Sequence, residues 1–312
     1  MTGRARIAVF GTGAVGGYFG ARLLAAGENV AFIARGRQLE TLRRDGLSVV
    51  SPHGDLHLRE LAVSDQPEAI GPVNVVLFCV KLYDAEEAAA RLAPLLGPET
   101  AVITLQNGVD VFELVARRVG ADRVVGGAAY IMASLETPGR IRHTAADTLL
   151  FGERDGARSL RLTAFEAAGL RAGFHARLST SIEVDLWIKF VRLSAWAGLT
   201  TVSRSTVGVI RDDPALSSMM RAALDEAIAV GRARGISLPP DLAAETEKIV
   251  SGFPYQAKSS MLEDLEHGRR LELPWLSGAV VRMGREAGVP TPVHQFIVAA
   301  LGPFVGGSRD RG

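Results

Sequence analysis

Over the first half of the chain, short and almost continuous apolar runs alternate with segments of helical periodicity. This is the pattern of strands buried on both faces and joined by crossover helices. Arg6–Phe10, Asn29–Ile33, Asn74–Val80 and Ala101–Leu105 read as strands. Helices are predicted over Gly16–Ala26 and Ala85–Leu96, with Gly27 and Gly97 as their C-terminal stops. Further strands, some of them antiparallel, are expected near Leu47–Val50, Leu56–Leu61, Arg123–Ile131, Arg140–His143 and Thr148–Phe151. The order is that of an extended, doubly wound sheet.

Near residue 178 the strand signal stops and helical periodicity takes over. Thr180-Ser181-Ile182-Glu183 has the spacing of a capping box, so a long helix is expected to start there. Asp213-Pro214 supplies an N-cap and an N1 proline for another helix that Gly235 can end, and Pro254–Gly268 and Pro274–Gly288 follow the same grammar. The expected organisation is therefore α/β: a doubly wound domain over residues 1–177, then an all-α domain over 178–312. Gly306–Gly312 reads as a disordered tail.

Composition narrows the functional classes. With 312 residues, two cores are expected rather than one. The 35 basic and 34 acidic residues give a formal charge of +1, which offers no electrostatic case for nucleic acid or an anionic membrane as partner. A small charged metabolite remains open as a ligand. The single cysteine, Cys79, lies in an apolar run and reads as a buried, inert thiol; no intrachain disulfide is possible, and a reducing, cytoplasmic setting is expected. Arg4 and Arg6 ahead of Ile7–Phe10 faintly mimic a signal peptide, but the apolar run ends at Gly11. No apolar segment is long enough to span a bilayer.

The chemistry begins at Gly11-Thr12-Gly13-Ala14-Val15-Gly16, a G-x-G-x-x-G turn between the first strand and a helix. In that context Gly11 permits the tight turn, Gly13 lets backbone approach a pyrophosphate, and Gly16 lets helix pack on strand. Phosphates would meet the free amides and the positive end of the helix dipole. A carboxylate at the end of the second strand would select NAD(H), but the chain reads Ile33-Ala34-Arg35-Gly36-Arg37. Arg35 is either an ordinary solvated charge or a bidentate partner for a 2′-phosphate, and the second reading implies NADP(H). Lys81 and Asn107 follow the next two strands, where open parallel sheets present ligands, and with the glycine turn they outline one crevice.

Farther on, Leu186-Trp187-Ile188-Lys189-Phe190-Val191 sets a lysine among apolar residues. Its stem can snorkel to water, or desolvation can lower its pKa into a range useful for proton donation. His53 and His57 are spaced four apart, but Pro52 and Gly54 argue for a turn and strand rather than a metal-binding helix, and no metal is expected. No G-x-S-x-G elbow is present.

Taken in order, the Gly11–Gly16 turn, Arg35, Lys81, Gln106-Asn107-Gly108, Leu186–Phe190 and Ser259-Ser260-Met261-Leu262 through Glu272 resemble the ketopantoate reductase (2-dehydropantoate 2-reductase) family over nearly the whole chain. The resemblance implies a Rossmann-type domain followed by a helical domain, with the active site between them. It implies an NADPH-dependent oxidoreductase acting on CH–OH donors, in pantothenate biosynthesis. Lys189 would be the general acid, and Glu272 would anchor the substrate hydroxyl and orient the lysine. Ser260 would bind the substrate carboxylate, while Asn107 and Lys81 would line the cofactor and substrate cleft. A homodimer is a further expectation, since helical second domains of this kind often pair.

The chain also departs from the family pattern. Asparagines common one and two turns past the lysine are Leu193 and Ala197 here, and a third, three residues before the serine, is Ala257. Because hydrogen-bonding sites discriminate by about 10⁴ or more, their loss opens the reading of a different 2-oxo acid or a branched ketone. Ser194 or Arg192 could compensate, though spacing alone does not show that either points inward. A non-catalytic NADP(H)-binding sensor is the remaining alternative, which would need neither Lys189 nor Glu272.

Overall fold

The computed structural model describes residues 4–308, which divide into two compact units. The first runs through Gln106 and includes Asp110–Ile182; the second comprises Asn107–Val109 and the chain from Glu183 onward.

In the first unit the elements follow in chain order. They are β1 (Arg6–Phe10), α1 (Ala14–Ala25), β2 (Asn29–Ile33), α2 (Gly36–Asp45), β3 (Leu47–Val50), β4 (Leu56–Leu58), β5 (Ala62–Ser64), β6 (Val73–Phe78), α3 (Ala85–Ala89), β7 (Leu96–Thr104), α4 (Val111–Val119), β8 (Val124–Thr137), β9 (Arg140–Gly152), α5 (Leu160–Arg171) and β10 (His175–Leu178). All ten strands form one mixed sheet in the order β4-β3-β9-β8-β7-β6-β1-β2-β5, with β10 beside β9. The path β5-β2-β1-β6-β7-β8 is parallel throughout. Renumbered along the chain it is the 3-2-1-4-5-6 order of a dinucleotide-binding sheet, whose switch point lies between β1 and β6. β8 and β9 are antiparallel, as are β3 and β4.

The central strands are apolar because both faces are covered: Ile7 to Phe10 and Val75 to Phe78 are all buried. One core joins them to Tyr18, Phe19 and Leu23 of α1 and to Phe165 of α5. Asp147 of β9 is buried, and its carboxylate is within 3.0 Å of His53 Nδ1 and 2.6 Å of His175 Nδ1. His53 and His57 occupy a turn and β4. The predicted β1, β2 and β3 have the observed bounds.

Other expectations need correction. The helix expected over Ala85–Leu96 stops at Ala89; Pro94 holds a short 3₁₀ turn at Ala93–Leu95, and Gly97 lies inside β7. The two strands expected at Arg140–His143 and Thr148–Phe151 are one, carried through an irregularity where Ala146 has φ 55°. The unit boundary falls between Ile182 and Glu183 rather than at 177/178, because β10 pairs with β9 and the chain through Ile182 packs on Gly152.

The second unit is helical: α6 (Ile182–Ser203), α7 (Val207–Asp212), α8 (Pro214–Ala233), α9 (Leu242–Ser251), α10 (Ser260–Glu266), α11 (Ser277–Ala287) and α12 (Pro292–Leu301). Asp213 caps α8 as predicted, its carboxylate accepting from the Ala215 and Leu216 amides at 2.9 Å. The helix expected from Pro254 instead starts at Ser260, since Ser259 is its N-cap and the Ala257 carbonyl is taken by the Val207 amide. Likewise Pro274 lies in a 3₁₀ turn, and α11 begins at Ser277 and ends before Gly288 in the left-handed region. The core joins Phe190 and Leu199 of α6 to Leu224 of α8, Val280 of α11 and Ile297 of α12. Glu226 of α8 receives the Val293 and His294 amides at 2.8 and 3.0 Å, tying down the start of α12. Of the tail expected to be disordered, Gly306–Ser308 is held by the Ser308 amide on the Gly268 carbonyl at 2.8 Å; residues 309–312 lie outside the described residues. Among the described residues no helix is long and apolar enough to cross a membrane.

Candidate active site

In the first unit the glycine turn sits at the carboxyl end of β1, beside the switch point. Gly11 has φ 101°, and a Cβ there would stand 2.8 Å from the Val80 nitrogen and 2.9 Å from the Cys79 carbonyl carbon. Only glycine fits that turn. The Gly11 amide and the Thr12 hydroxyl both donate to the Ile33 carbonyl at 3.1 Å, and Gln38 Nε2 donates to the Thr12 carbonyl at 2.8 Å. The turn is thereby fixed to β2 and α2.

Gly13 is the N-cap of α1 and supplies no side-chain cap, so no capping side chain occupies the first-turn amides around Ala14 and Val15. Nothing lies within 4 Å of where a Gly13 Cβ would be, which leaves that backbone open to a ligand. A Cβ on Gly16 would collide with the Gly11 carbonyl oxygen and stand 2.9 Å from Val9 and Cys79 side-chain carbons. An open amide cluster at a helix start is what a pyrophosphate requires, so this cradle fits a dinucleotide.

A cavity of about 270 Å³ borders the turn and is lined by Gly11, Thr12, Gly13, Ile33, Arg35 and Lys81, among others. Lys81 is exposed there. Cys79 also reaches the cavity and is partly accessible, not wholly interior as expected; desolvation pushes its thiol up, so it stays protonated. Arg35, whose side chain is 69% exposed, pairs with Asp84 at 2.6 Å. Asp84 was not anticipated from the sequence. The signal was available, because it follows Lys81 by three residues at the same strand-end edge.

In the second unit, α6 carries Lys189 between Ile188 and Phe190. Trp187 and Phe190 are buried and meet edge to face, with ring centroids 5.3 Å apart. Lys189 keeps some solvent contact, yet the dense protein around its ammonium brings the pKa down to about 8. Desolvation is the main cause; the nearby Glu272 carboxylate opposes it, and the Arg192 guanidinium one turn along adds to it.

Glu272 is buried at the start of the 3₁₀ turn Leu273–Trp275, and Asn107 Nδ2 donates to its Oε2 at 3.3 Å. Lys189, Glu272 and Asn107 are thus brought together. Ser260 stands exposed at the first position of α10. Its neighbour Ser259 is the structural one: Ser259 Oγ accepts from the Leu262 amide at 3.1 Å and from Thr200 Oγ1 at 2.7 Å.

Of the apolar replacements, Ala197 is buried, Leu193 packs against the helical core and Ala257 is partly buried. Ser194 donates to the Val191 carbonyl of its own helix at 3.2 Å and is buried, which removes it as a compensating contact. A cation that titrates near pH 8 beside a carboxylate and an amide can deliver a proton to an oxygen at neutral pH.

Residues 7–156 match the family model Ketopantoate reductase PanE/ApbA, and residues 181–304 match Ketopantoate reductase PanE/ApbA C terminal. A 2-dehydropantoate 2-reductase of Mesorhizobium japonicum is 30% identical, over 95% of this chain and 96% of that relative. The crystal structure of 2-dehydropantoate 2-reductase from Geobacter metallireducens superposes with a TM-score of 0.89 at 29% identity, covering 96% of this chain and 99% of that one. A ternary structure of D-mandelate dehydrogenase with NADH and anilino(oxo)acetate gives a TM-score of 0.88 over 96% of this chain and 98% of that one; at 21% identity the likeness is one of fold.

Proposed function

The chain belongs to the ketopantoate reductase family of oxidoreductases, and on that premise we propose that it reduces the 2-oxo group of ketopantoate to pantoate with NADPH. The observation that carries the reading is the cluster of Lys189, Glu272 and Asn107, with the lysine brought to about 8. Reduction of a ketone builds negative charge on its oxygen, which an adjacent ammonium stabilises and then neutralises. Lys189 is that acid. Glu272 accepts from the substrate hydroxyl and holds Lys189 charged, Asn107 fixes the Glu272 carboxylate, and Ser260 donates to the substrate carboxylate.

The cradle of Gly11, Thr12, Gly13, Ala14, Val15 and Gly16 would hold the pyrophosphate, Arg35 the 2′-phosphate, and Lys81 and Asn107 the nearer part of the cofactor. When bound, the nicotinamide supplies the hydride. A second reading, another 2-oxo acid with a branched apolar tail, is favoured by Leu193, Ala197 and Ala257 where polar contacts are common in the family. Initial rates of NADPH oxidation over a panel of 2-oxo acids separate the two. Turnover of ketopantoate is the expected result, and turnover of a different 2-oxo acid alone selects the second reading.

A further inference from the structure

Arg35 does not face the cofactor cavity alone. Asp84 closes the 3₁₀ turn Leu82–Asp84 that follows β6 and occupies the N-cap of α3, where an aspartate ordinarily accepts from the first-turn amides. Its carboxylate makes no such bond and is instead 2.6 Å from Arg35 Nη2. The turn itself is fixed by the Asp84 amide donating to the Lys81 carbonyl at 2.9 Å, so the carboxylate is held near that place.

Of the acids lining the cavity, Asp65 is paired with Arg43 at 3.9 Å, whereas Asp84 is paired with Arg35 itself. Asp84 is thus the carboxylate set directly against the cation proposed for a 2′-phosphate. The acid missing from the end of β2 is therefore present in space, delivered from the end of β6.

We propose that Asp84 is a selectivity residue of the cofactor site: it competes with a 2′-phosphate for Arg35 and accepts from the ribose 2′-hydroxyl of NADH. This rests on the reading of the cavity as a nicotinamide dinucleotide site. The site then takes both reduced dinucleotides, with a weaker preference for NADPH than Arg35 alone would impose. In NADPH the phosphate must draw the guanidinium from Asp84, whereas in NADH the carboxylate is the partner that the ribose needs.

The test is the dissociation constant of NADPH and of NADH, read from nicotinamide fluorescence without substrate, for the wild type, D84N, D84S and R35Q. Both Asp84 variants are expected to shift the affinity ratio about tenfold toward NADPH, since one close charge is removed near the phosphate. R35Q is expected to shift it the opposite way. An unchanged ratio in D84N and D84S, with R35Q shifting it, overturns this inference and leaves the dinucleotide reading standing. A wild type that binds neither nucleotide overturns both.

Discussion

The two units carry their candidate binding features by different means. The cradle after β1 is made of backbone: a glycine with φ 101°, open amides at the start of α1 and a glycine contact between helix and strand. The Lys189 cluster is made of side chains, with a buried carboxylate, an amide 3.3 Å from it and an ammonium lowered to about 8 by desolvation. A backbone site fails where an added Cβ would meet either the fold or the ligand. A side-chain site fails by loss of a single group, and its tuning depends on the charges around that group.

The largest expected effect removes the acid. Lys189→Ala should lower kcat by about 10²–10⁴, as is usual for loss of a general acid, while the NADPH dissociation constant stays within about twofold of wild type. Steady-state rates and a nucleotide titration check the two halves. Equal losses in rate and nucleotide affinity would show that Lys189 acts through cofactor binding and not as the acid.

Next come the two glycines. Gly13→Ala meets no atom within 4 Å and should leave the melting temperature unchanged, yet place a methyl where the proposed pyrophosphate site lies and weaken NADPH about tenfold. Gly16→Ala meets backbone and should destabilise the fold by about 1–3 kcal/mol. Thermal melts with nucleotide titrations on both variants distinguish a ligand-facing glycine from a packing one.

A finer probe is pH. A general acid must be protonated, so kcat/KM for reduction should hold below about pH 8 and fall above it, following Lys189. Glu272 opposes the lowering, so in Glu272→Gln the falling limb should move to lower pH on top of any loss in rate. Arg192 adds to the lowering, so Arg192→Met should move the limb to higher pH. Rate profiles from pH 6 to 10 would show both directions.

The smallest effect concerns stability. The folded-state pKa of Lys189 lies below its ordinary 10.5, so the charged amine opposes folding; that cost is complete below about pH 8 and fades as pH rises toward 10.5. Lys189→Met should therefore raise the melting temperature at pH 7 by roughly 2–4 °C, with a smaller gain at pH 10.

This contrast also explains what could be read along the chain. β1 and β2 were legible because strands covered on both faces are apolar throughout, and the glycine turn because it is local and lies between them. The helix α2 turns only Leu39 and Leu42 inward among charged residues, an apolar stripe too short to stand out along the chain. Pro94 breaks a helix whose periodicity runs on past it, and Ala146 carries one strand through a bulge that looked like a gap between two. The side-chain cluster is non-local: Asn107 and Glu272 are 165 residues apart, and Arg35 and Asp84 are 49 apart. Spacing cannot place such pairs, so the first was expected only through resemblance to a family and the second was not expected at all.

The most direct measurement is NADPH oxidation by the purified wild type and by Lys189→Ala over a panel of 2-oxo acids that includes ketopantoate. Turnover of at least one 2-oxo acid by the wild type is expected, with ketopantoate foremost, and a loss of about a hundredfold or more in the variant. Equal rates from the two proteins on every substrate turned over, or no turnover of any 2-oxo acid by a wild type that binds NADPH, would contradict this expectation.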